Sequence, residues 1–97
     1  MLHLEFVIMA GLTSFKGWEL YSWPADHSVK YSLLVGTNRN KTAAEIHAKP
    51  LALGEVEQKL GELAAGQDVI WVGDTRDRAR IEAAAKRHGL VLTITPS

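Results

Sequence analysis

A chain of 97 residues is the size of one domain. Its hydrophobic fraction of 46% and charged fraction of 23% are ordinary for a globular protein with a single core. Eleven basic residues balance eleven acidic ones and there is no cysteine, which excludes bulk attraction to phosphate backbones or anionic lipid, disulfides, and thiolate nucleophiles or metal ligands.

In the N-terminal stretch MLHLEFVIMAGL, Leu2, Leu4, Phe6 and Ile8 recur at a period of two, which predicts a short strand. The apolar run there is about 7 residues with no preceding Lys or Arg, too short to span a bilayer and weak as a signal peptide. Met9 offers a second start, so residues 1–14 are read as a peripheral or non-native extension of a single domain over 1–97. No later segment reaches membrane length, and the expectation is a soluble, cytoplasmic protein without membrane contact.

In GWELYSWP, Trp18 and Leu20 point to one face and Tyr21 and Trp23 to the other, which predicts a strand partly covered on both faces. Pro24 ends that strand or marks an edge. After the polar turn ADHS, Val29, Tyr31, Leu33 and Val35 alternate with Lys30 and Ser32. Two alternating runs joined by a short turn predict an antiparallel hairpin. TAAE then has the form of a capping box, Thr42 with Glu45, opening a short helix over Ala43–Ala48 that Pro50 stops.

GEVEQKLGELAAG predicts a second helix with an apolar stripe of Val56, Leu60, Leu63 and Ala64 and a glycine cap at Gly66. Gly61 within it costs about 1 kcal/mol relative to alanine or permits close packing. DVIWVGD is a continuous apolar run, which predicts a central strand buried on both faces. DTRDRARIEAAAKRHG predicts a helix capped by Asp74 or Thr75, with Ile81, Ala84 and Ala85 inward, His88 in the last turn and Gly89 at its end. LVLTIT closes the chain as a strand with Leu90, Leu92 and Ile94 on one face. The elements assemble into an α+β fold: a mixed sheet of about four strands, made of the hairpin followed by helix–strand–helix–strand with a parallel, right-handed βαβ unit.

Three places carry chemistry. The segment Thr37–Lys41 lies between a strand end and a capped helix start, where free N–H groups favour anions. Arg39 and Lys41 supply positive charge there, and Thr37, Asn38 and Asn40 supply turn chemistry. It is not a phosphate-binding P-loop, because the paired glycines and the Gly-Lys-Ser/Thr ending are absent. The plainer reading is a structural turn with solvated charges.

The second place is GDTRDR, Gly73–Arg78, beyond the C-terminal end of the expected central strand, where open α/β sheets bind ligands. The plainer reading there is helix capping with surface pairs such as Arg78–Glu82. The third is the aromatic set Trp18, Tyr21, Trp23 and Tyr31, suited to stacking bases, to a protein interface, or to core packing. His3, His27, His47 and His88 show no zinc spacing, and no nucleophile elbow or paired-carboxylate motif is present. No metal, cofactor or catalytic residue is therefore assigned.

The stretch KGWELYSW followed by YSLLVGTNRNKT resembles short uncharacterised bacterial proteins with a similar hairpin. The resemblance runs from Lys16 to Ile46, about a third of the chain, and implies no activity, cofactor or site residue. The leading expectation is a non-enzymatic domain that binds a protein partner or a small anion through Trp18, Trp23, Thr37, Asn38, Arg39 and Lys41. Homodimerisation through an open sheet edge or aromatic contact is a further expectation. The alternatives are an enzyme on a phosphorylated or carboxylate substrate, with Arg39 and Lys41 as clamp and Asp74 as acid or base, and a single-stranded nucleic-acid binder. Zero net charge weighs against the last.

Overall fold

The computed structural model describes residues 17–36 and 41–95. They form strands β1 (Gly17–Ala25), β2 (Ser28–Val35), β3 (Asp68–Gly73) and β4 (Val91–Thr95) and helices α1 (Ala43–His47), α2 (Leu53–Leu60) and α3 (Arg78–Arg87). The sheet order is β2-β1-β3-β4, with β1 antiparallel to β2, and β3 parallel to both β1 and β4. This is the mixed four-stranded α+β fold that the sequence predicts. The strand expected over Leu2–Ile8 lies outside the described residues.

The hairpin turns through Asp26 and His27, and Asp26 takes a φ of 55°, a left-handed conformation that a short polar side chain tolerates. Pro24 neither ends β1 nor lies on an edge strand; it pairs with Val29 inside β1. Even-numbered residues of β1 turn their backbone toward β3, and β3 stops opposite Ser22, so the missing N–H of Pro24 leaves no ladder bond unmade.

One face of the sheet carries the core. Leu20, Tyr31, Val69 and Trp71 pack beneath Val56 and Leu60 of α2 and Ile81, Ala84 and Ala85 of α3, and all are buried. Periodicity places each of these residues on the buried side of its element. Arg80 of α3 grips Glu57 of α2 through two N–H groups and ties the helices together. On the opposite face Ile70 and Val72 are only half-buried, so β3 is fully covered on one side rather than both. An antiparallel neighbourhood on one flank, with α2 and α3 on the core side and only the five-residue α1 against the other face, leaves that second face partly open.

Two helix boundaries differ from the sequence pattern. α2 ends at Leu60 and Gly61 caps it, while Glu62 and Leu63 continue as tighter turns bonded to Lys59 and Leu60. Leu63 still packs against the core, whereas Ala64 is exposed. A Cβ on Gly61 would sit 3.0 Å from Nε2 of His88, so this glycine admits close packing of α3. The N-cap of α3 is Asp77, not Asp74 or Thr75. Asp74 instead accepts from the Arg76 N–H at 2.9 Å, a local turn that competes with capping.

Candidate binding site

Of the expected site residues that are described, Trp18 lies on the opposite face of the sheet from Trp23 and Lys41. Thr37, Asn38 and Arg39 lie outside the described residues. Lys41 places its Nζ 2.6 Å from Oε1 of Glu19, and the two side chains are only 8% and 2% exposed. The Tyr21 hydroxyl donates to the same carboxylate oxygen at 2.8 Å. Lys41 therefore serves an internal ion pair on the face of the sheet opposite the core. Glu19 is not among the residues that the sequence motifs single out; its signal is an acid on the same strand face as Tyr21 and Trp23.

The aromatics divide between the two faces. Trp18 packs on the core side, with its indole N–H donating to Oε1 of Gln67 at 3.1 Å. Tyr31 is fully buried there. Trp23 lies on the other face, its ring 4.3 Å from that of His47 on α1. Trp18 and Trp23 thus do not share one stacking surface.

Around Gly73–Arg78 the polar groups are largely committed to one another. The Asp74 carboxylate holds the Arg76 backbone and guanidinium, at 2.9 and 3.1 Å, and these contacts keep it below the ordinary carboxylate range. The Tyr31 hydroxyl donates to Oδ2 of Asp77 at 2.8 Å. Burial first, then the Asp77 carboxylate, pushes the tyrosine above its ordinary range. An unfolded tyrosine loses its proton near pH 10, before the folded one does. The contribution is therefore complete below pH 10 and fades as pH rises further. Urea titrations at pH 8 and at pH 11 should show wild type losing more stability between those values than Tyr31→Phe, which at neutral pH costs about 1 kcal/mol. Equal losses would dismiss the tyrosine as the source.

A different feature of the fold has the shape of a site. Among the described residues the chain meets the outer edge of β2 at Leu51. Tyr31 donates to the Leu51 carbonyl at 3.0 Å and accepts from its N–H at 2.7 Å. Gly36 donates inward to Gly17 at 2.8 Å, so even-numbered residues face β1 and odd-numbered ones face out. Leu33 and Val35 therefore turn their N–H and C=O groups outward, and no described residue bonds to them. If the antiparallel bridge continued, Lys49 would stand opposite Leu33. Instead Pro50 and the bends at Ala48 and Lys49 carry the chain away into α1.

Beside that vacated edge is a groove of about 780 Å³. Trp18, Leu33, Leu34, Leu51 and Leu63 give it apolar walls, and Glu45, Lys49, Lys59 and Glu62 line its rim. Glu45 is engaged in the capping box, accepting from the Thr42 N–H at 3.2 Å while Thr42 Oγ1 accepts from its own backbone. Two lysines and one glutamate remain. A smaller cleft of about 310 Å³ lies at the hairpin end, between His27–Lys30 and Arg76–Asp77. Among the described residues no cluster of three or more His, Cys, Asp or Glu could hold a metal, and no helix is long and apolar enough to cross a membrane.

No protein-family model, curated protein or solved structure matches this chain.

Proposed function

We propose that the chain is a non-enzymatic, soluble cytoplasmic interaction domain that adds an extended segment of a partner protein to the outer edge of β2. The observation that carries this reading is the pair of outward backbone positions, Leu33 and Val35, beside an apolar groove from which Pro50 diverts the chain. Main-chain bonds along an exposed edge give affinity, and flanking pockets for alternate side chains give selectivity. The matching segment runs antiparallel to β2, as Leu51 does. It carries apolar residues at alternate positions and an acidic residue for Lys49 or Lys59.

The small-anion reading has less support, because Lys41 is bound to Glu19. For the enzyme reading, Asp74 is held by Arg76. It also stands next to Ser22, about 10 Å along β1 from Glu19 and Lys41 at roughly 3.3 Å per residue. The nucleic-acid reading lacks a shared surface for Trp18 and Trp23.

Selection from a displayed library of random peptides tests the proposal. Binders should show the alternating apolar pattern and shift the amide resonances of Leu33 and Val35. Their affinity should fall about tenfold or more with Leu63→Glu, a change at the groove wall. Binders indifferent to Leu63→Glu, or a library that yields none acting at those amides, would dispose of the reading.

A further inference from the structure

The opposite edge of the sheet, β4, is built differently. The Val91 N–H donates to the Gln67 carbonyl at 2.9 Å, on the β3 side. Thr93 and Thr95 share that direction, so Leu92 and Ile94 turn their N–H and C=O groups outward along an edge that no described strand covers. The sequence of the strand, VLTIT, has no charge and no proline, and Val91 is 51% exposed. Natural edges are normally blunted by charge, proline, a bulge or a covering segment. β2 has such a cover at Leu51; β4 has none of these devices among the described residues.

We infer that β4 pairs antiparallel with β4 of a second copy of this chain, about a twofold axis through Thr93. In this register Leu92 faces the partner's Ile94 and exchanges both backbone bonds with it, and Ile94 does the same with the partner's Leu92. Four backbone bonds form and two four-stranded sheets become one of eight strands. On the core side, Leu92 and Ile94, already packed against the core, meet their counterparts. On the other side Thr93 meets Thr93 of the partner subunit, a favourable cross-strand pair, and Val91 meets the partner's Thr95.

Charge along the strand does not oppose this occupant. No like charges face each other along the strand. Arg80 reaches Glu57 on the flank of α3 toward α2. At helical spacing the opposite flank, above β4, presents Arg78, Glu82 and Lys86. Their signs alternate, and Arg78 already pairs with Glu82 at 3.2 Å. The Arg78–Glu82 pair leaves one net positive charge, on Lys86, along this flank of each copy, so the flank neither selects nor blocks the β4–β4 contact. The pairing is isologous and closes on itself, so it consumes both β4 edges and leaves the two β2 edges for the partner segments proposed above.

The experiment uses the position on the axis. Thr93 is exposed, so Thr93→Lys changes nothing inside one protomer but sets two ammonium groups face to face. Sedimentation equilibrium should give a dimer for wild type and about tenfold or weaker association for Thr93→Lys and for Thr93→Glu. Mixing the two variants should restore a dimer. Circular dichroism checks that both variants fold. Hydrogen exchange on wild type is the measurement that needs no variant: the Leu92 and Ile94 amides should be protected in proportion to dimer population. Wild type that stays monomeric at millimolar concentration overturns the inference. So does a dimer that Thr93→Lys leaves unchanged, or one in which those two amides exchange as freely as an open edge.

Discussion

Replacing Glu19 with glutamine should lower the stability of the fold by about 3–5 kcal/mol, a large part of what a domain of this size possesses. Glutamine keeps the shape of the side chain and one acceptor oxygen, so what is lost is charge. It takes the Glu19 anion away from the Lys41 ammonium, whose side chain is 8% exposed. Attraction within such a pair about balances the desolvation of two ions, but an orphaned ion keeps the desolvation alone. The double change Glu19→Leu with Lys41→Met should therefore recover most of the loss. Salt should do little to the difference, because buried charges are weakly screened. Urea titration followed by circular dichroism reads all three variants. A loss below 1 kcal/mol for Glu19→Gln would show that water reaches Lys41.

The pair also bears on the groove. Lys41 immediately precedes Thr42, the N-cap of α1, and Glu45 of α1 and Ala48, its C-cap, stand at the groove's rim. Anchoring Lys41 to β1 fixes where α1 begins, and so fixes one wall of the proposed peptide site. Glu19→Gln should weaken peptide binding even in the folded fraction.

Much of the fold was legible because it rests on local periodicity. The alternation in β1 and β2, the capping box at Thr42 and the stripe of Ile81, Ala84 and Ala85 each report a burial pattern within a few residues. The cap of α3 was misplaced because Asp74, Thr75 and Asp77 are all acceptable caps by residue type. The choice was made by partners distant in sequence: Arg76 holds Asp74, and Ser22 takes the Asp74 carbonyl through its hydroxyl at 2.6 Å. The candidate site was less legible still. Nothing in Leu51 or Pro50 announces that the chain touches β2 at one residue and leaves. The charge pattern that drew attention to Lys41 could not reveal that a carboxylate 22 positions earlier would claim it. Pairing across the sheet is a property of the whole topology, and the groove exists only where two long-range facts meet.

Gly73→Ala should be the other severe substitution, and the reason lies in the same non-local geometry. Gly73 is the last residue of β3 paired with β1, standing opposite Ser22. Its φ is 120°, a region that side-chain-bearing residues avoid at a cost of about 1–3 kcal/mol. A Cβ built there would lie 2.0 Å from the Ser22 carbonyl oxygen, so the strands must also move apart. That oxygen accepts from the Asp74 N–H at 3.1 Å. The Ser22 hydroxyl meanwhile accepts from the buried Trp71 indole at 2.8 Å while donating to Asp74. Displacing Ser22 therefore disturbs three bonds and the largest core side chain together. We expect about 4 kcal/mol or more in urea titration, at the exceptional end for a single substitution. Gly66→Ala separates the two causes: its φ is 88° but nothing lies within 4 Å of the added carbon, so it should cost only about 1–2 kcal/mol. Equal losses at the two glycines would mean that backbone strain alone, not the approach to Ser22, makes Gly73 indispensable.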